Sequence, residues 1–301
     1  MFATFKQIFR SSNKDLRTRI LFTLGVLFIF ALGNSITIPG MDVINRDIGF
    51  LELFNALSGG GLKQFSIFAL GVMPYISASI IVQILQMDII PYFSELKEMG
   101  EEGRRKIAKI TRYMGLGIAF IQGIFYPMMF VGKTLEPTFY LQVALILTAG
   151  TAFLLWLGDQ ITQKGIGNGL SLLIMAGIIQ SLPSVFLTAF NELVLGETFS
   201  KGLGAVLFGS FIIIYLLIII GMVWIQLAER RIPIQYANRT NSAYGGHQNF
   251  LPIKINSAGV MPVIFASTLI AIPVTVVNLI KNQTAIDFVA KYIDNTSLTG
   301  F

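Results

Sequence analysis

The sequence predicts an all-α protein that crosses a membrane repeatedly, a multi-pass helix bundle. Three observations carry that reading. Hydrophobic residues fill 54% of the 301 positions, charges only 13%, and mean hydropathy is +0.71, whereas a soluble domain carries roughly a quarter charged residues. Apolar runs close to the ~20 residues that span a bilayer core recur along the chain. One proline-broken phrase also occurs twice: "GVMPYISASIIV" from Gly71 and "GVMPVIFASTLI" from Gly259 share seven of twelve positions.

Seven spans are expected, at about 20–38, 64–87, 113–131, 139–157, 170–187, 203–227 and 257–280. The first follows basic residues as a signal peptide would. Its apolar run is too long, however, and no small-residue cleavage site follows, so it counts as a span. Between spans one and two, "GFLELFNAL" has the periodicity of a short helix, and "SGGG" after it forms a flexible joint. The loop "SELKEMGEEGRRKIAKITR" reads as a mixed-charge, helix-prone surface. "GDQITQKGIGNG" before span five is a tight, glycine-punctuated turn in which Asn168 suits a helix N-cap. The long basic loop 228–256 is rich in turn residues.

Lys and Arg set the orientation. With the N-terminus in the cytoplasm, 16 of the 22 basic residues fall inside and six outside. The expected division is a cytoplasmic segment 1–19, a first half 20–187 with five spans, and 188–301 as the start of a second half. That second part holds two spans, the cytoplasmic loop and an outer tail.

The two copies of the repeated phrase lie five spans apart, so they run antiparallel. A repeat of inverted topology implies two halves related by a pseudo-two-fold axis in the membrane plane. Each proline, Pro74 and Pro262, is expected to remove a helix hydrogen bond and bend its span. Ile76 and Ile264, two positions later, then sit at equivalent depths. The chain stops two spans into the second half, so it is expected to be truncated or to be completed by spans from elsewhere.

The ordered motifs "SGGGLKQFSIFALGVMPYISASIIVQIL", "EEGRRKIAKITRY", "WLGDQITQKGIGNGLSLLIMAGI", "ERRIPIQYANR" and "LPIKINSAGVMPVIFAS" resemble the SecY family, the channel subunit of the bacterial protein translocon. The resemblance covers the whole chain and implies an inverted-repeat fold of ten spans, of which seven are present. It implies a pore ring of Val72, Ile76, Leu170, Ile174 and Ile264. Branched apolar side chains can close around a thread without offering hydrogen bonds, and they gate an empty pore by dewetting. It further implies a plug at about 50–62, with Phe50, Leu51, Leu53, Phe54, Asn55 and Leu57, and a polar contact between Asn55 and Asn168. Gln83 falls on the lateral gate, and Arg104, Arg105, Lys106, Arg230, Arg231 and Arg239 on surfaces that dock cytosolic partners. In loop 228–256, "TNSAYGGHQNF" and Pro233 depart from the more basic family pattern.

The partners implied are SecE and SecG-like small membrane subunits, the SecA ATPase, the ribosome, unfolded preproteins with their signal sequences, and membrane lipid. The implied location is the bacterial plasma membrane. A conduit for unfolded polypeptides, opening across the membrane and sideways into it, is the function expected. An inactive fragment of such a translocon is the alternative.

Two other classes fare worse. A secondary transporter needs ionisable groups near mid-membrane, and Asp88 and Asp159 sit at inner span ends. An intramembrane enzyme needs a reactive constellation, but the single histidine, His247, lies in a cytoplasmic loop and no cysteine is present. No catalytic residue, metal ligand or cofactor site is read from the sequence.

Overall fold

The computed structural model describes residues 14–41, 55–87, 90–130, 136–196, 201–234, 249–256, 259, 262 and 266. Seven helices occupy these residues in chain order: α1 Lys14–Ser35, α2 Met73–Leu85, α3 Pro91–Glu98, α4 Glu101–Phe130, α5 Pro137–Lys164, α6 Gly169–Phe190 and α7 Lys201–Leu227. A π turn, Asn191–Leu195, follows α6, and two strands, β1 Glu229–Ile234 and β2 Asn249–Lys254, follow α7. Four stretches among the described residues are long and apolar enough to cross a membrane: Lys14–Ser35, Pro137–Lys164, Gly169–Leu195 and Gly202–Leu227.

The chain divides into two compact units, 1–183 with 268–301, and 184–267. In the first, α5 is the most buried of the four long apolar stretches. Leu147, Leu154 and Ile161 recur every seventh position and are each 1% exposed or less, which lays one apolar stripe along the helix. Helices in lipid gain no hydrophobic drive from meeting each other, so close backbone approach has to hold them. Gly123 of α4 faces Ala144 of α5, and Gly115 of α4 faces Tyr75 of α2. A Cβ on either glycine would stand 3.0 Å from the opposing Cα. Gly150 of α5 is tighter still, because a Cβ there would lie 2.1 Å from the Ile67 carbonyl oxygen.

The region read as span two differs from expectation. Only Met73–Leu85 is helical. Residues 61–72 form a chain of tight turns, closed by Ser66 N–H to Gly61 O (3.0 Å), Ala69 N–H to Ser66 O (2.9 Å) and Gly71 N–H to Phe68 O (2.8 Å). Pro74 sits in the first turn of α2, where its missing N–H would have had no helical acceptor. It therefore opens the helix rather than bending one. Gly71 supplies the left-handed residue before it, at φ +57°. Non-helical backbone is tolerated at membrane depth only if its polar groups are satisfied within the protein. Here Ile38 N–H donates to Phe65 O and Ile67 N–H to Ile36 O.

The expected third span is the C-terminal part of α4, which begins earlier, at Glu101, inside the loop read as a helix-prone surface. Glu101 and Glu102 lie in its first turn, where negative charge favours a helix start. Gly103 lets that start sit on the Leu96 carbonyl of α3. The seventh expected span lies outside the described residues except at Gly259, Pro262 and Ala266. Gly259 has φ +60°, the same backbone hand as Gly71 in the other copy of the phrase.

In the second unit, an aromatic seam joins the end of α6 to α7. Phe190 meets Phe208 at 5.3 Å between ring centroids, and Phe186 meets Tyr215 at 5.4 Å, both edge to face as ring quadrupoles favour. Beyond α7, the loop read as turn-rich contains an antiparallel ribbon pairing Glu229 with Lys254 and Ile232 with Leu251.

The Gly150 contact generates a test. Gly150→Ala is expected to destabilise the protein by about 1–3 kcal/mol, as overpacking does. Gly117→Ala on α4, where a Cβ would meet nothing within 4 Å, is expected to leave stability unchanged. Thermal unfolding of both variants in one detergent makes the comparison.

Candidate functional site

The aliphatic positions come from two helix starts. Gly71 turns the chain into α2, whose opening is marked by the Ile76 N–H to Val72 O bond of 3.2 Å. Val72 and Ile76 therefore stand one turn apart on one face. Leu170 and Ile174 share the same four-residue spacing at the start of α6.

The tight loop between α5 and α6 places that second pair. Gly165 N–H caps α5 by donating to Ile161 O at 2.7 Å. Gly167 takes φ +74°. Asn168 Oδ1 accepts from the N–H groups of Leu170 (3.1 Å) and Ser171 (3.3 Å), the bonding of an N-cap. Gly169 N–H donates to Thr162 Oγ1 at 2.9 Å, and Thr23 Oγ1 of α1 accepts from Ile166 N–H at 3.2 Å. The loop is thus tied to both α1 and α5. Gly158 faces Gly169 so closely that a Cβ on Gly169 would lie 1.9 Å from the Gly158 oxygen. That approach presses Leu170 onto α5.

These constraints bring four of the five expected ring residues together. Val72 is buried in one hydrophobic cluster with Val26, Phe30, Phe68, Leu154 and Leu173, and half-buried Ile76, Leu170 and Ile174 pack against it. Each of those three keeps part of its side chain free. Ile264 lies outside the described residues.

Of the expected plug, Phe50, Leu51, Leu53 and Phe54 lie outside the described residues. Asn55 and Leu57 fall in a helical turn at 55–57, followed by glycine turns. Asn55 Oδ1 accepts from Lys63 N–H at 3.0 Å. The hydrogen bonds of Asn55 and Asn168 stay within their own segments, and none links the two.

Gln83 is exposed and donates to Ser79 Oγ at 3.3 Å. It borders a cavity of about 540 Å³ toward the C-terminal end of α2, whose wall also includes Tyr75, Ser79, Lys97, Arg104 and Thr111. Nearby, Arg112 of α4 bonds Asp159 of α5. Of the expected docking cations, Arg104, Arg105, Lys106, Arg230 and Arg231 are exposed. Arg104 pairs with Glu101 at 3.5 Å and Lys106 with Glu102 at 2.8 Å. The hydrogen bond from Lys106 holds the Glu102 carboxyl below the usual carboxylate range. Arg230 and Arg231, adjacent on β1, point to opposite faces of the ribbon. Arg239 lies outside the described residues.

Sequence reasoning missed a buried polar cluster. Asn34 of α1 is 1% exposed. Its Nδ2 donates to Gly59 O (2.9 Å) and Gln180 Oε1 (3.2 Å), while its Oδ1 accepts from Ser66 Oγ (2.9 Å). An asparagine inside an apolar span was the available signal, since such a residue demands partners.

The SecY family model matches residues 66–299. A protein translocase subunit SecY 1 of Lactobacillus kefiranofaciens subsp. kefiranofaciens is 43% identical over 92% of this chain. The match takes in 66% of that relative, so the chain spans just under two thirds of its length. Protein translocase subunit SecY of Bacillus subtilis (strain 168) is 40% identical over 100% of this chain and 72% of its own. A solved structure described as a protein conducting channel shares the fold, with TM-score 0.64 and 19% identity over 90% of this chain and 61% of that one. Canine Sec61, from a ribosome-channel complex of the endoplasmic reticulum, superposes with TM-score 0.62 at 19% identity, over 90% and 61% of the two chains.

Two tests follow from the local geometry. Asn168→Ala removes the cap of α6 and is expected to cost about 1 kcal/mol, read by thermal unfolding. Lys106→Met is expected to raise the titration midpoint of Glu102 toward the ordinary carboxylate value, followed by NMR of its carboxyl carbon. Because the folded value is depressed, whatever this pair contributes is present above the ordinary carboxylate range and lost as pH falls through the folded value.

Proposed function

Because this chain belongs to the SecY family, we propose that it forms the gated part of a conduit for unfolded secretory polypeptides and membrane segments. The observation that carries the proposal is the convergence of Val72, Ile76, Leu170 and Ile174 on one hydrophobic cluster, with three of them half-buried. Such a surface offers a passing chain contact without hydrogen bonds, so it does not hold any particular sequence. With no chain present, it excludes water and ions by dewetting. Ile264, in the inverted copy of the phrase, supplies the matching side chain from span seven.

The segment ending at Leu62 acts as the plug on the outer side. Gln83 borders the lateral gate, through which membrane segments leave toward lipid. The N-terminus lies in the cytoplasm of a bacterium, with the conduit in its plasma membrane. No step of bond chemistry is assigned to the chain. Movement is driven by a partner, either the SecA ATPase or a translating ribosome, docked on Arg104, Arg105, Lys106, Arg230, Arg231 and Arg239. Positive charge suits ribosomal RNA, whose phosphates dominate such binding. SecE and a SecG-like subunit accompany the chain in the membrane.

Cross-linking tests this directly, helped by the absence of native cysteine. Ile76→Cys, Ile174→Cys and Ile264→Cys, made singly, are each expected to form adducts with a stalled secretory chain. The experiment is run on this chain and on a version extended by the last three spans of a relative. Adducts in both forms mean that the present spans suffice, and adducts only in the extended form mean that they do not. If no position reacts in either form, the conduit assignment is wrong.

A further inference from the structure

We propose that Asn34 is a positioning residue whose buried amide latches the glycine turn at 58–61 to α1 and α6, so that freeing this amide is what lets the turn leave its seat. The consequence for transport rests on reading the segment that ends at Leu62 as the plug. The latch itself rests on geometry alone.

Three features separate it from ordinary packing. First, the bonds of Asn34 run to three other segments: Gly59 O in the turn, Gln180 on α6, and Ser66 in the strand-like bridge beside Thr37. An amide in a span can be satisfied nearer home, so this reach marks a tie between elements. Second, the turn is shaped to this amide. A Cβ on Gly59 would lie 2.8 Å from Asn34 Nδ2, and one on Gly61 would lie 2.2 Å from Asn34 Oδ1. Gly177 of α6 likewise leaves room for the Leu57 carbonyl, which a Cβ would approach to 2.4 Å. Third, the turn is bonded within itself. Gly60 N–H and Ser58 Oγ both donate to Asn55 O, and Lys63 N–H donates to Asn55 Oδ1. It can therefore move as a unit, and the left-handed residues Gly59 (φ +74°) and Gly60 (φ +82°) allow its backbone to rearrange.

Polar groups in an apolar surrounding are costly when unpaired. The closed position pairs one N–H of the Asn34 amide with the Gly59 carbonyl, while departure of the turn leaves that N–H and that carbonyl seeking partners. A resting protein would thus stay latched until an entering chain displaced the turn. Gln180 holds the amide in orientation from the far side, which gives it the same role at one remove.

The test uses the cysteine-free chain carrying Ser58→Cys, a position 2% exposed, in sealed membranes. The probe is a membrane-impermeant maleimide added from outside. Asn34→Leu is expected to speed labelling at position 58 about tenfold, the factor carried by the stronger interhelical hydrogen bonds in membranes. Gln180→Leu, which removes one bond of the three, should speed it less. Leu154→Cys, fully buried on α5, reports loss of the fold and should stay protected in both variants. Unchanged labelling at position 58, or equal acceleration at 154 in both variants, overturns the latch. Cross-links from Ile76→Cys that persist in that event leave the conduit reading standing. Faster labelling at 58 without any rise in ion leak across the same membranes keeps the latch and removes the sealing role of the segment.

Discussion

Helices in a bilayer cannot be drawn together by the hydrophobic effect, because lipid tails are as apolar as leucine. What remains is close approach, and in this protein close approach depends on glycine. The first unit is assembled from places where the backbone of one segment rests directly on another: Gly150 on Ile67, Gly158 on Gly169, Gly177 on Leu57, and Gly123 on Ala144. Any side chain at these points would separate the segments by more than a contact distance. The dispersion energy of the interface falls off over that same distance. The packing of α4, α5 and α6 is therefore sensitive to one methyl group at a few positions and tolerant elsewhere, as at Gly117.

The same closeness creates the site. Gly158 and Gly169 bring the start of α6 onto α5, and Gly150 admits the turns that precede α2. Two helix starts, far apart in sequence, then present Val72, Ile76, Leu170 and Ile174 to one cluster. A helix start also has unpaired N–H groups. At α6, Asn168 accepts from two of them and Thr162 takes the bond of Gly169. At α2, Pro74 has no N–H to satisfy. The start of α6 thus sits among apolar side chains with its first N–H groups paired, and the proline at α2 leaves that helix start one donor fewer.

Several polar groups where the chain departs from helix have assigned partners. Thr23 accepts from the α5–α6 loop, Ser66 and Asn34 bond each other, and the carbonyl of Gly59 meets the Asn34 amide. In lipid such bonds are worth modest amounts individually, but leaving one of the groups bare is expensive. They specify where the irregular segments sit more than how stable the bundle is.

Sequence alone determined the apolar stretches that became α1, α5, α6 and α7, the N-cap at Asn168, the repeated phrase and the family. All of these are written in local spacing: apolar runs of bilayer length, a side chain three positions from the N–H it caps, a proline at a set distance from a glycine. The left-handed glycine that opens each copy, Gly71 and Gly259, follows the same rule. Tertiary structure decided where α2 begins. A run of apolar residues reads the same whether it is helix or a chain of turns, and residues 61–72 became turns because Ile36 and Ile38, just after α1, bond their backbone and α5 leaves room for Ile67. It also decided the partners of Asn34, one of which lies 146 positions away. No local pattern can announce such a bond, since it exists only once glycines on other helices have let the backbones approach.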